Sequence, residues 1–536
     1  MSDVPDLSAI VKAYDVRGRA GEQLSEEICE ALGAAFADFL DAGAIIVAHD
    51  MRVSSPQLSD AFVRGAVRRG STVAVAGLSS TDQLYCASGL HRAAGAMFTA
   101  SHNPAPDNGI KMCLPGAKPI SRDSGLDEIR RTAEQYLAAG EIPVRDGGRA
   151  EQIDTLADYV DMLVQLVPVP PRRRVRVVVD AANAMAGHTM PAVAERLDGV
   201  EIIPLHFDLD GTFPNHDANP LDASTLRELQ DAVRAHGADL GLAFDGDADR
   251  CVAVDEKGRV ISPSAVTALI AQREIARARS AGEENPAVVA NLVSSLHVQE
   301  AIEAAGGRRI RSRVGHSLIK ALMAQENAVF GGEHSAHYYF RDFFFADSGM
   351  LAALHLLAAL AETDARVSEL IEEHDPYAAS GEINSRVADV PAAVARARGA
   401  AEQMGPAQFD ELDGLTATCW DESDPDGDRW WFSLRASNTE PLLRLNVEAA
   451  EEPVMERVRD RILAVIRDDD TDDHVTVEAT AGADVPAWVR EILRCPVTGE
   501  PLEDTPEGLL SPSTGHVYQV VDGIPILLPP REHGRA

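Results

Sequence analysis

Short apolar runs, each ending in polar residues and followed by a stretch with helical spacing, recur along most of this chain. The run AIIVAHD (44–50) precedes SPQLSDAFVRGAVRRG (55–70), and STVAVAGL (71–78) and AAGAMFTASH (93–102) read as further buried strands. The alternation returns at VRVVVDAANAMAG (175–187), ADLGLAFDGD (238–247) and PAVVANLV (286–293), the last leading into a helical stretch through Ala305. Continuous apolar strands alternating with helices predict mostly parallel sheets covered on both faces.

Punctuation between these blocks divides the chain. A Gly/Arg/Asp-rich stretch at Pro143–Gly148, the turn DEKGR (255–259) and HDPY (374–377) separate the units, and RDDDTDDH (467–474) is an acidic, solvated run. The expected class is α/β: three related mixed α/β domains at 1–150, 151–257 and 258–374, then a smaller α+β fourth domain at 375–467. An acidic linker (468–484) leads to a short α+β appendage (485–536) with one short helix and several short β-like runs.

A length of 536 residues supports this segmentation, because one core does not grow to that size. The net charge of −36 argues against nucleic acid or an anionic membrane as partner. It also requires that any site for a phosphate ester be locally cationic against a repulsive background. No apolar run reaches membrane-span length, and the start MSDVPDLSAIVKAYDVRG lacks the regions of a signal peptide, so a cytoplasmic location is expected. Six scattered cysteines with no CxxC pair read as reduced, buried thiols.

Four motifs carry candidate chemistry. Thr99-Ala-Ser101-His102-Asn103-Pro104 follows an apolar strand, so Ser101 falls at a carboxyl end, where open α/β sheets bind ligands. An ST-turn closed by Asn-Pro is the plainer reading, and the G-x-S-x-G elbow is absent. Asp245-Gly-Asp247-Ala-Asp249-Arg250 places three carboxylates at alternate positions after a strand, an oxygen-donor set suited to Mg²⁺. An EF-hand is disfavoured because Arg250 stands at the sixth position, where glycine is needed.

In Gly331-Gly-Glu333-His334-Ser335-Ala-His337, Glu, Ser and His can bond sugar hydroxyls, although a helix-capping loop has similar composition. Arg435-Ala-Ser437-Asn438-Thr439-Glu-Pro441 offers a guanidinium, hydroxyls and an amide as a phosphate cradle; a proline-closed surface turn is the alternative. Two smaller elements, Tyr14-Asp-Val-Arg17-Gly18 and Asp107-Asn-Gly-Ile-Lys111, place Arg17 beside a flexible glycine and Lys111 near Ser101 in sequence.

In this order YDVRG, TASHNP with DNGIK, DGDADR, GGEHSAH and RASNTEP resemble the signatures of the α-D-phosphohexomutase family over about residues 8–465. The GEHSAHYYFRD form is similar to the phosphomannomutase/phosphoglucomutase branch. The resemblance implies four domains around a central cleft, and a mutase interconverting mannose 1-phosphate and mannose 6-phosphate, extending to the glucose phosphates. It implies Mg²⁺ as cofactor and hexose 1,6-bisphosphate as intermediate and activator. By the same resemblance Ser101 is the phosphorylated serine, and Asp245, Asp247 and Asp249 hold the metal with the serine's phosphate oxygen. Arg17, Lys111, His102 and Arg250 serve the transfer; Glu333, Ser335, His337 and His316 line the sugar site; Arg435, Ser437, Asn438 and Thr439 dock the non-reacting phosphate.

The segments REILRCPVTGEPL and VYQVVDGIPILLPP resemble another family, the small activator domain of certain methyltransferases, which implies a protein partner for the appendage. Zinc-binding members carry paired cysteines, but here Thr498 stands where Cys495 needs its partner. Other readings of the main chain stay open: phosphoglucomutase, phosphoglucosamine mutase, a metal-dependent sugar-phosphate phosphatase, or a silent scaffold. The phosphatase reading is weakened because Asp249 fills the last place of D-x-D-x-[TV]. The scaffold reading is weakened by an intact Ser101 and carboxylate triplet.

Overall fold

The computed structural model describes residues 6–421, 423, 427–436, 442–467 and, further on, 493–495, 498, 500–505, 508–514, 516–518, 520–521 and 524–525. The apolar runs become strands close to where the pattern places them: Ile45–His49, Thr72–Leu78, Ala94–Phe98, Val175–Asp180, Leu240–Phe244 and Ala287–Asn291. Helices intervene at Ser55–Arg68, Thr81–His91, Ala186–Ala194 and Leu296–Ala304. Ser25, Ser80 and Ser348 cap the helices Glu26–Phe39, Thr81–His91 and Gly349–Ala361, each side chain accepting from a backbone N–H of the first turn.

The sheets are mixed rather than mostly parallel. In the first, Ile45–His49 pairs in parallel with Ala94–Phe98 and Thr72–Leu78, while Asp107–Leu114 and Val16–Arg19 add antiparallel at one edge. The second sheet pairs Val175–Asp180 in parallel with Val200–Leu205 and Leu240–Phe244, and Cys251–Asp255 folds back antiparallel. The third repeats the scheme, with Ala287–Asn291 parallel to Arg308–Ser312 and Phe330–Gly332, and Tyr338–Phe340 antiparallel. In each unit a tight turn between a buried parallel strand and its antiparallel neighbour carries a motif, because a hairpin return needs only a few residues where a parallel crossover needs a helix.

The fourth sheet, in the order Ala378–Arg386, Leu442–Ala449, Trp430–Ala436, Leu415–Cys419, Gln408–Asp410, is antiparallel throughout. The helices Val390–Met404 and Glu452–Ile466 cover it and share its core. One continuous apolar core joins the second and third units and includes Tyr85 and Cys86 of the first, so these units pack as a block. Domain four is tied on by polar contacts: Glu448 Oε1 accepts from Leu296 N at 2.9 Å, and Asp413 Oδ2 from Val314 N at 3.0 Å.

All six cysteines are free and buried, as their scatter predicts. No described helix is long and apolar enough to cross a membrane. In the appendage short strands lie at Glu503–Thr505, Gly508–Leu510, Val517–Tyr518, Val520–Val521 and Ile524–Pro525. Its expected helix and the acidic linker lie outside the described residues.

Candidate functional site

The strand Ala94–Phe98 delivers its chain into the turn that holds Ser101, and the strand Leu240–Phe244 delivers the Asp245–Asp249 loop opposite. Ser101 adopts φ +51°, a left-handed conformation uncommon for a residue with a side chain, and its N–H donates to Thr99 Oγ1 at 2.9 Å. The turn aims the hydroxyl across the domain boundary: Ser101 Oγ donates to Asp245 Oδ2 at 2.8 Å. Gly246 permits the approach, since a Cβ there would lie 2.3 Å from the Ser101 carbonyl oxygen.

Asp245, Asp247 and Asp249 are 0%, 0% and 1% exposed, and their carboxylate oxygens fall within 4.8 Å of one another. Burial, then Asp249 and Asp247, push the Asp245 carboxyl well above its usual range. Burial acts the same way on Asp249, but Lys111, His337 and Arg250 outweigh it and hold that carboxyl below its usual value. Asp247 Oδ1 has no hydrogen-bond donor among the described residues, and Asp249 Oδ1 has none either, its neighbours being His337 Nδ1 at 3.8 Å and Arg250 Nε at 4.0 Å. Buried carboxylates with spare oxygens of this kind fit a hard divalent cation.

The local positive charge required by the acidic background is present. Lys111 Nζ donates to Asp247 Oδ2 at 2.6 Å and to Asp249 Oδ2 at 2.5 Å. Desolvation opposes its charge, but these two carboxylates prevail and raise its pKa. Arg17, paired with Asp15 at 2.8 Å, donates to the Ala100 carbonyl at 2.7 Å and to Asn103 at 3.1 Å, bracketing the serine turn. Arg250 Nε is 3.5 Å from Asp245, and its terminal nitrogen is 3.0 Å from His102 Nδ1. Burial, then Arg250 and Arg17, push His102 down to about 2, so it is a neutral neighbour of Ser101 Oγ at 3.4 Å.

The third unit approaches through an antiparallel bridge between Arg250 and His337, whose Nδ1 lies 3.1 Å from Asp347. Glu333 is buried and faces inward: Oε1 accepts from Gly315 N at 3.1 Å and Oε2 from the Tyr339 hydroxyl at 2.7 Å. It therefore anchors the turn before the helix His316–Glu326, of which His316 is the first residue. Ser335 is half-buried in the same loop. Arg435 is mostly buried, with Asp413 at 3.6 Å and Glu382 at 3.7 Å, and its Nε has no hydrogen-bond partner among the described residues. Ser437, Asn438 and Thr439 lie outside the described residues.

Two groups escaped the sequence reading. Arg52, 1% exposed, donates to the carbonyls of Ser101 (2.7 Å), Asn103 (2.7 Å), Pro104 (2.9 Å) and Asp107 (3.0 Å), beside Asp50 at 3.2 Å. Thr81 Oγ1 donates to Asp247 Oδ2 at 2.5 Å, and its neighbour Asp82 accepts from Ser80, Tyr159 and Ser348. The only signal for either was a charged residue just after a buried strand or at a helix start, which is too common to select them.

Three α/β units that converge a serine hydroxyl, a buried carboxylate triplet and lysine and arginine counter-charges, with a separate antiparallel fourth domain, define a multidomain enzyme built for an anionic substrate. Family models for the phosphoglucomutase/phosphomannomutase alpha/beta/alpha domains I, II and III match residues 8–139, 157–258 and 262–377, and that for the C-terminal domain matches 382–465. A phosphomannomutase of Salmonella montevideo is 38% identical over 467 residues, covering 85% of this chain and 98% of that protein. A phosphomannomutase of Escherichia coli K12 is 37% identical over 466 residues, with the same coverage. Phosphohexose mutases of Xanthomonas campestris are 38% identical over 440 residues, covering 82% of this chain and 94% of theirs. The crystal structure of a phosphoglucomutase/phosphomannomutase family protein from Burkholderia thailandensis superposes with a TM-score of 0.75 at 27% identity, covering 87% and 98%. The chain belongs to the phosphoglucomutase/phosphomannomutase family, and the fold is the four-domain α/β fold of the phosphohexomutases.

Proposed function

We propose that this enzyme interconverts mannose 1-phosphate and mannose 6-phosphate, accepting glucose phosphates as well, through a phosphoserine at Ser101 and a hexose 1,6-bisphosphate intermediate. The observation that carries the reading is Ser101 Oγ at 2.8 Å from Asp245, inside a carboxylate triplet facing Lys111. In this reading the P–O bond to Ser101 breaks as a sugar hydroxyl binds the same phosphorus. The bisphosphate then turns end for end, and its other phosphoryl group returns to Ser101. Asp245, Asp247 and Asp249 would hold Mg²⁺, which when bound neutralises charge on the phosphoryl oxygens.

Lys111 and Arg17 then serve proton transfer and steady the phosphoryl group, and Arg250 orients Asp245 and keeps His102 uncharged. Arg435, with Ser437, Asn438 and Thr439, reads the non-reacting phosphate; it must accept the 1- and 6-phosphates in turn, so it recognises phosphate rather than sugar. The loop with Glu333, Ser335 and His337, together with His316, positions the hexose, Glu333 through the 315 turn as well as through any hydroxyl. This reading keeps the divisions at 150, 257, 374 and 467, each of the first four units supplying one of these parts.

We also place the enzyme in the cytoplasm, where six unpaired thiols are at home. The appendage from 485 onward, with Cys495 Sγ 3.2 Å from the Tyr518 hydroxyl, is taken as a metal-free module of the methyltransferase-activator type that binds a protein.

The test is a coupled assay of full-length enzyme with Mg²⁺ and a trace of hexose 1,6-bisphosphate, comparing mannose 1-phosphate with glucose 1-phosphate. Conversion to the 6-phosphate, lost in Ser101→Ala, is expected, with mannose the faster substrate. Release of inorganic phosphate without isomerisation would replace the mutase by the phosphatase.

A further inference from the structure

Domain two carries a second group of metal-type donors, separate from the carboxylate triplet. Asp180 closes the strand Val175–Asp180 and is 1% exposed; the loop after Leu205 brings His206 and His216 onto it. One donor atom from each of the three lies within 4.8 Å of the others. The two imidazole rings stand 5.4 Å apart at 77°, edge to face rather than stacked. Glu228 Oε2 lies 3.0 Å from His206 Nε2 and can swing in from the exposed helix Arg227–His236.

The hydrogen-bond pattern around His216 is the informative part. Its Nδ1 is 2.9 Å from the Asp217 carbonyl, which only accepts, so Nδ1 carries hydrogen. In the neutral ring the Nε2 lone pair then points at Asp180 Oδ2, 3.0 Å away, and a carboxylate cannot donate to it. Asp180 Oδ1 is already used by Ala182 N at 2.9 Å. A proton, shared by the imidazole and the carboxyl, or a metal ion must therefore sit between His216 and Asp180. A ring held by Nδ1–H to a carbonyl with Nε2 presented outward is also how metal-binding histidines are fixed.

The loop is prepared for the task. Asn183 N donates to the His206 carbonyl at 2.8 Å, Asn183 Nδ2 to the Asp208 carbonyl at 2.8 Å, and Asn215 Nδ2 to Asn183 Oδ1 at 2.7 Å. One asparagine on the rim of the sheet therefore ties His206 to Asn215, the residue before His216.

We propose that Asp180, His206 and His216 form a binding site for a divalent transition-metal ion of the Zn²⁺ type, with Glu228 or water as fourth donor. Two imidazoles and a carboxylate suit such borderline ions, whereas the all-oxygen set at Asp245–Asp249 suits Mg²⁺, so the two sites sort metals by donor chemistry. A bound ion would pin the 206–218 loop, whose Phe213 lies under the Arg52 guanidinium at 5.1 Å and whose Ala218 packs beside it. The metal would thus stabilise the wall behind the Ser101 turn.

The probe is Co²⁺ added to full-length enzyme kept in excess Mg²⁺, read by its visible d–d absorption. The wild type should bind one Co²⁺ with a band of low-coordinate type, displaced by one equivalent of Zn²⁺. His206→Gln/His216→Gln should lose the band, weakening Co²⁺ binding by at least about tenfold. His337→Gln, which disrupts the other histidine-containing cluster with Asp249 and Asp347, should keep it. Should the double variant fail to fold by circular dichroism, His206→Gln alone and Asp180→Asn give the same reading. No band in the wild type, a band unchanged in the Asp180 and His206 variants, or loss only in His337→Gln overturns the proposal.

Discussion

Arg52→Lys tests whether a buried guanidinium holds the Ser101 turn. Arg52 offers four hydrogen bonds from its two terminal nitrogens to the carbonyls of Ser101, Asn103, Pro104 and Asp107, and its charge faces the fully buried Asp50. A lysine keeps the charge but is a single point donor with at most three bonds and no planar fork. At least one carbonyl would then lose its donor, at about 1–3 kcal/mol. Shifting the ammonium away from Asp50 adds part of the about 3–5 kcal/mol that follows when a buried pair is broken. A total of about 4 kcal/mol is expected, which lowers the melting transition of the affected unit by about 10 °C. Activity should fall further than stability explains, because Ser101 is held in its left-handed conformation by the same contacts. Differential scanning calorimetry of full-length protein and the mutase assay at a temperature where both proteins are folded give the two numbers. An Arg52→Lys variant that melts within about 2 °C of the wild type with unchanged kcat would refute the role assigned to this residue.

Lys111→Met should cut kcat by about 100-fold or more with the protein still folded, since it removes the cation facing Asp247 and Asp249; a steady-state assay checks this. Withdrawing divalent metal with EDTA should lower activity and the melting temperature together; at metal concentrations about 100 times Kd the stabilisation is about 2.7 kcal/mol, and Asp247→Asn should blunt it. Asp82, whose pKa burial pushes up to about 7, binds its proton more tightly folded than unfolded. Its contribution to stability is complete below about pH 4 and is lost as pH rises through 7, on the order of 4 kcal/mol in all. Urea melts of wild type and Asp82→Asn should therefore diverge between pH 5 and 8, the wild type losing ground as pH rises; parallel curves would refute the assignment.

The strand–helix rhythm was readable in sequence because buried strands must be continuously apolar, and the structure places Ile45–His49, Val175–Asp180 and Leu240–Phe244 inside the runs that declared them. The same runs do not say which partner is parallel: the antiparallel returns at Asp107–Leu114, Cys251–Asp255 and Tyr338–Phe340 are set by short turns and by what covers each edge. The Ser101 turn and the aspartate triplet stood out in sequence because each is a polar pattern just after an apolar run, and Lys111 because its DNGIK stretch follows the serine motif closely. That Ser101 meets Asp245, 144 positions away, and that Lys111 bridges Asp247 and Asp249 was decided by packing between units. Arg52 and Asp82 left no pattern specific enough to select them, since a buried charge is defined by the carbonyls and hydroxyls that tertiary structure brings around it. The Asp180, His206 and His216 group is of the same kind: three ordinary residues in sequence, joined only because the chain after Val200–Leu205 turns back over the end of Val175–Asp180. Sequence determines which segments are apolar and where local motifs lie; the three-dimensional fold alone decides which distant polar groups share one desolvated space, and that proximity sets their charge and chemistry.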